Sequence, residues 1–243
     1  MKNNRFFSYS GIGLASILQA GLGGNLSLPS QPMDHVPAAS ETQVISRANQ
    51  TEARGRNALV IPLSSADVTL DGHCSEYSTA LTQTYSDEGG GNGTVRVMHD
   101  GQYLYVCLNA LPGTHSTRNF TVNLDPQGDG ASYTWPQPND YRLWVNILDG
   151  NRTSQRGTGQ QGQWPEDSTL DPYWDARTIA LRSGETGEFR IDLQSFGLTR
   201  RGLVFGLGLF HQWVMYQGDD YTWPEGTVWW DQPGTWQPVR LGR

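Results

Sequence analysis

Thr94-Val95-Arg96-Val97-Met98-His99-Asp100-Gly101-Gln102-Tyr103-Leu104-Tyr105-Val106-Cys107-Leu108-Asn109 is the stretch that decides the fold. Two runs rich in β-branched, apolar and aromatic residues flank Asp100-Gly101, a pair suited to the positive backbone angles of a tight hairpin turn. In the second run Leu104, Val106 and Leu108 fall on one face, with Tyr103, Tyr105 and Cys107 on the other. Side chains alternate across a strand, so one of these faces is expected to bury itself against a second layer.

The same alternation recurs downstream. Asn119 to Asp125 sets Phe120, Val122 and Leu124 inward. Arg142 to Leu148 sets Leu143, Val145 and Ile147 inward and leaves Arg142, Trp144 and Asn146 outward. Glu188 to Leu193 sets Phe189, Ile191 and Leu193 inward, with Glu188, Arg190 and Asp192 as an outward polar stripe. Leu203 to Val214 contains glycine and reads as a bent central strand, and Val239 to Leu241 as an edge strand. A short helical turn is expected near Leu193 to Leu198, and one extended polar loop over Asp149 to Asp171. No segment keeps a 3.6-residue apolar period over three turns. The expected fold class is therefore all-β, an antiparallel β-sandwich of jelly-roll type with long loops.

Composition agrees. The chain of 243 residues has 29 glycines, and only 17% of its residues are charged. Its net charge of −7 argues against nucleic acid or an anionic membrane as the main partner. Lys2 and Arg5 precede a weakly apolar run to Ala20, which reads as a signal peptide over 1–20 and places the protein outside the cell. A flexible Ser/Pro/Gln-rich leader follows over 21–57, and the sandwich is expected over 58–243. The two cysteines, Cys74 and Cys107, point to one disulfide, with two buried thiols as the alternative. Closing a loop of about 33 residues stabilises a fold by roughly 3–4 kcal/mol in the chain-entropy model.

All nine tryptophans lie between Trp135 and Trp236. Buried indoles need a partner for their N–H, so a core uses them sparingly, and exposed flat rings suit the apolar faces of sugars. Some of the nine are expected to fill the core and others to meet a ligand. Trp144, flanked on its face by Arg142 and Asn146, is the leading stacking residue. Glu188 and Arg190 would extend the groove if their strand shared its sheet, and Trp174 and Trp223 would oppose it as a clamp. Asp125, Gln127 and Asp129 alternate around a glycine turn, the pattern of a calcium loop or of a plain Asp/Gly turn. No GxSxG elbow is present, and no carboxylate pair stands out for glycoside hydrolysis.

The order of the motifs is more specific than any one of them. Val68-Thr-Leu-Asp-Gly72, Val95 to Val106, Val122-Asn-Leu-Asp-Pro126, Gly187 to Leu198, Tyr221-Thr-Trp-Pro-Glu-Gly226 and Trp236 to Leu241 follow in sequence. The set resembles the family 9 carbohydrate-binding modules and their DOMON-like relatives over roughly residues 66–243. The resemblance implies a sandwich that binds polysaccharide or oligosaccharide without cleaving it, often with structural calcium, here expected to act as a monomer. Two departures stand out. Cys74 and Tyr77 occupy the region where the family has a tryptophan, and Glu188-Phe-Arg-Ile-Asp192 lacks the family's proline. DOMON-like relatives also include haem binders, for which Met98 with His211 is the pair to test. A glycan-active enzyme or accessory domain is the remaining alternative.

Overall fold

The computed structural model describes residues 57–86, 92–110, 118–181, 184–213, 221–224 and 232–243. The expected signal peptide over 1–20 and nearly all of the leader over 21–57 lie outside the described residues, as do Trp229 and Trp230.

The strands run β1 (Leu59–Ile61), β2 (Leu81–Ser86), β3 (Asn92–His99), β4 (Tyr103–Ala110), β5 (Arg118–Asp125), β6 (Tyr141–Asn146), β7 (Arg152–Arg156), β8 (Trp174–Leu181), β9 (Gly184–Asp192), β10 (Phe205–Trp213), β11 (Tyr221–Trp223) and β12 (Gln237–Leu241). One sheet has the order β1-β12-β10-β5-β6-β7, with β11 also pairing β10, and the other the order β2-β3-β4-β9-β8. All pairs are antiparallel except β1 with β12. The all-β sandwich expected from the alternation is the observed fold. Among the described residues no helix is long and apolar enough to cross a membrane.

The inward residues form one core. Val95, Val97, Leu104, Val106, Leu108, Phe189 and Ile191 of the second sheet meet Phe120, Val122, Leu124, Leu143, Val145, Leu207 and Leu209 of the first. The Asp100-Gly101 hairpin forms as read, with Gly101 at φ +93° and the Asp100 carboxylate accepting the Gln102 and Tyr103 N–H groups. Chain crossings are tight where glycine stands. A methyl on Gly187 would lie 2.4 Å from the Phe120 ring, and one on Gly208 would lie 2.9 Å from the Trp236 ring.

A second, smaller cluster sits on the outer face of β3 and β4, where Met98, Tyr105 and Cys107 pack against Cys74 and Tyr77. Both faces of β4 are thus buried. The Cys74–Cys107 disulfide forms, with a Cα–Cα distance of 5.9 Å, and pins the covering segment to the sheet. Glu188 completes the anchor: its Oε2 accepts the backbone N–H groups of Asp71 at 3.0 Å and Gly72 at 2.8 Å.

Three expectations about elements change. The polar stretch from Asp149 to Asp171 contains β7, an edge strand whose ladder to β6 needs no apolar alternation. Val239 to Leu241 belongs to β12, which is interior because β1 adds outside it. The segment from Leu193 is a hydrogen-bonded turn closed by Leu198 N–H to Leu193 C=O.

Candidate functional site

The stripes expected to line one groove lie on opposite sides of the molecule, because β6 belongs to the first sheet and β9 to the second. On β6 the predicted outward face is correct, yet each side chain is occupied differently. Arg142 is buried beneath the 157–167 loop, its guanidinium 4.2 Å from the Trp164 ring centroid. The loop is fastened there by an ion pair between Arg156 and Asp167 at 2.6 Å. Asn146 Oδ1 accepts the N–H groups of Leu148 and Asp149 and so closes the turn into β7. Trp144 is half-buried on that face, with Thr121 and Thr153 as its strand partners.

Three residues proposed for sugar contact are corrected by burial. Glu188 is fully buried under the Asp71–Tyr77 segment and is a fold anchor. Burial, opposed by the Gly72 and Asp71 N–H groups, holds its carboxyl above the usual glutamate range. Burial also pushes the Tyr77 hydroxyl far above the ordinary phenol range, with the neighbouring Glu188 adding to the effect. Trp223 lies in the core opposite Leu209. Trp174 fills the core against Phe189, the rings nearly parallel with centroids 6.0 Å apart, so it is not an opposing clamp. Its indole N–H donates to Ser154 Oγ at 2.7 Å, and that hydroxyl donates to Asp171 Oδ1 at 2.5 Å.

The haem pair is not assembled. Met98 faces the disulfide on the outside of the second sheet, whereas His211 lies inside the sandwich. His211 Nε2 stands 3.1 Å from Glu185 Oε2, and its ring packs 4.8 Å from Phe120.

The calcium loop is built as a self-capped turn. Asp125 Oδ1 accepts Asp129 N–H at 3.3 Å and Oδ2 accepts Gly130 N–H at 2.8 Å. Gln127 is exposed, and among the described residues no three His, Cys, Asp or Glu side chains converge.

What the fold does gather is a cleft of about 320 Å³ at the edge where β7 of one sheet approaches β8 of the other. The turn Ser168–Tyr173 bridges the two strands and presents Tyr173, which is 46% exposed. Trp174 forms one wall and Tyr103 another, and the Arg190 guanidinium lies 5.3 Å from the Tyr103 ring centroid. Arg152 donates to the Trp174 carbonyl at 2.7 Å and to Asp175 Oδ1 at 2.8 Å. Asp171 and Asp192 complete the polar lining. Two predicted residues, Trp174 and Arg190, are therefore brought together, though through a different cleft. Tyr173, Arg152, Asp171 and Asp175 were not singled out from the sequence. The run Asp171-Pro172-Tyr173-Trp174-Asp175, with aromatics set between carboxylates, carries the signal that would have found them.

Chemically, the cleft offers an exposed phenol ring, two guanidiniums and three carboxylates within a volume suited to a small polar ligand. Each carboxylate is already engaged by this chain: Asp171 by Ser154, Asp175 by Arg152 and Arg177, and Asp192 by the Ser195 N–H. That arrangement orients donors and acceptors for hydroxyl groups.

The class defined is an all-β sandwich with an aromatic and polar cleft at the joined edges of its sheets. Its fold matches the structure of a family 9 carbohydrate binding module from Caldicellulosiruptor kristjanssonii in complex with cellotriose. The TM-score is 0.56 and the identity 18%, over 76% of this chain and 94% of that one. A family 9 module from the same organism in complex with glucose gives a TM-score of 0.54 at 18% identity, over 75% of this chain and 95% of that one. A crystal structure of a Bacteroides uniformis protein gives 0.53 at 11% identity, over 76% and 99%. No family model matches the sequence, and no curated protein matches it. These likenesses show a shared fold.

Proposed function

We propose that this chain is a non-catalytic carbohydrate-binding domain, exported and monomeric, which holds a saccharide in the cleft beside Tyr173. The observation that carries this reading is the fold shared with a module solved with cellotriose, over 94% of that module's length. The cleft supplies the chemistry. A pyranose lays its C–H face on the Tyr173 ring, and its hydroxyls donate to Asp171 and Asp192 and accept from Arg152 and Arg190. The disulfide suits an oxidising compartment.

Glycoside hydrolysis calls for one carboxyl to protonate the leaving oxygen and a second to act opposite it. The cleft carboxylates, fixed by guanidinium, hydroxyl and backbone donors, support binding instead. Trp144 on the outer face of the first sheet is the second surface to test, because it remains half-buried rather than sealed.

A panel of neutral oligosaccharides read by tryptophan fluorescence tests the reading, since Trp174 walls the cleft. Saturable quenching or a spectral shift is expected, lost in Tyr173→Ala and kept in Trp144→Ala, with no new reducing ends after prolonged incubation. Release of reducing ends would make the protein an enzyme. Loss of binding in Trp144→Ala alone would move the site to the other sheet.

A further inference from the structure

Apart from the residues that line the Tyr173 cleft, the β3–β4 hairpin, the Thr199–Leu203 segment and the end of β12 border a hollow of about 790 Å³. Arg200, Arg201, Arg240 and Arg243 line it, all exposed, and no aspartate or glutamate is among the lining residues. None of these arginines forms an ion pair among the described residues. The chain as a whole carries −7, so this is a local reversal of sign. His99 also lines the cavity. It is only 4% exposed, and the Gly242 backbone is its one hydrogen-bonding neighbour, which leaves at least one ring nitrogen without a partner among the described residues. A buried polar group left unsatisfied costs about 1–3 kcal/mol, so a ligand atom that bonds the remaining ring nitrogen gains that much. Val60, Leu203 and Leu241 give the same cavity an apolar side.

We propose that this cavity binds the anionic group of an acidic saccharide, a uronate carboxylate or a sugar sulfate. The arginines hold the oxyanion, His99 bonds an adjacent oxygen, and the sugar ring rests on the apolar side. Planar guanidinium forks match carboxylate and sulfate oxygens, and several converging on one cavity raise the local anion concentration. The volume exceeds what a bare oxyanion fills, which is why the anion is assigned to a larger carrier. That the carrier is a saccharide rests on the reading proposed above; the anion site itself stands on the arginines and His99.

The test is calorimetric titration of the whole protein with an oligogalacturonate, a sulfated disaccharide, a neutral cello-oligosaccharide and sodium sulfate. The Arg201→Gln/Arg240→Gln variant is titrated alongside, with its melting temperature recorded to show that it folds. One acidic saccharide is expected to bind with affinity falling at least about tenfold between roughly 20 and 300 mM NaCl. The double variant should lose about tenfold or more in that affinity and keep its affinity for the neutral sugar. Tyr173→Ala should do the reverse, so failure of the anion site and failure of the neutral cleft are told apart. No binding of either acidic saccharide overturns the proposal, as does binding indifferent to salt or to the arginine changes. Sulfate ion binding as tightly as both saccharides overturns it too, leaving a site for free anions.

Discussion

Glu188 shows how one side chain is read correctly by pattern and wrongly by role. Its outward position on β9 follows from alternation, but Asp71, Gly72 and Tyr77 cover it. Because its folded carboxyl is held above the usual range, its favourable contribution is complete below the unfolded pKa of about 4.5 and is lost as pH rises through the folded value. Glu188→Gln keeps an oxygen for both N–H groups and removes the buried charge. Its stability relative to the parent should therefore improve from pH 4 to pH 8 in urea melts. A change in the opposite direction would mean that the charge itself holds the Asp71–Gly72 turn. Trp174 makes the complementary case: truncation to alanine should cost about 3–5 kcal/mol, because the indole fills core space beside Phe189. A folded Trp174→Ala protein of unchanged melting temperature would show that the ring is dispensable packing.

Among elements, β3, β4, β5, β6 and β9 were legible from alternation and turn residues, and β10 from its long glycine-containing run. The strand β7 was not, since Arg152 to Arg156 carries no apolar residue and gains its place from the ladder to β6. The cover over the second sheet was equally hidden. Nothing local in Cys74 to Tyr77 says that it folds back over Met98 and Tyr105; only the disulfide partner does. Replacing both cysteines by alanine should lower stability by roughly 3–4 kcal/mol, measured by denaturant unfolding, with the hairpin still formed. The 157–167 loop has its own test. The Thr169 hydroxyl and then the Arg156 guanidinium hold Asp167 below the usual carboxylate range. Its stabilisation is present above the unfolded pKa of about 3.8 and is lost as pH falls through the folded value. Amide exchange in this loop should accelerate below about pH 4 relative to the core strands; uniform exchange across the domain would contradict the role of the pair.

At the scale of the molecule, the sandwich and its sheets were legible because alternation reports burial directly. The site was legible only in kind. Aromatic rings with charged neighbours do line the cleft, but which rings remain uncovered depends on how loops cross between two sheets, and no local pattern records that. Arg190 therefore reached the cleft, which Trp174 backs from the core, while Trp223 and Glu188 went into the interior. The fold likeness extends over nearly the full length of modules solved with glucose and cellotriose, which makes saccharide binding the claim on which the account depends. Calorimetric titration of the folded protein and of Tyr173→Ala with cellotriose tests it most directly. The account predicts a saturable heat for the parent and an affinity at least about tenfold weaker for the variant, a loss of about 1.4 kcal/mol, at unchanged melting temperature. No heat from the parent with any neutral oligosaccharide, or equal affinity in the two proteins, would contradict it.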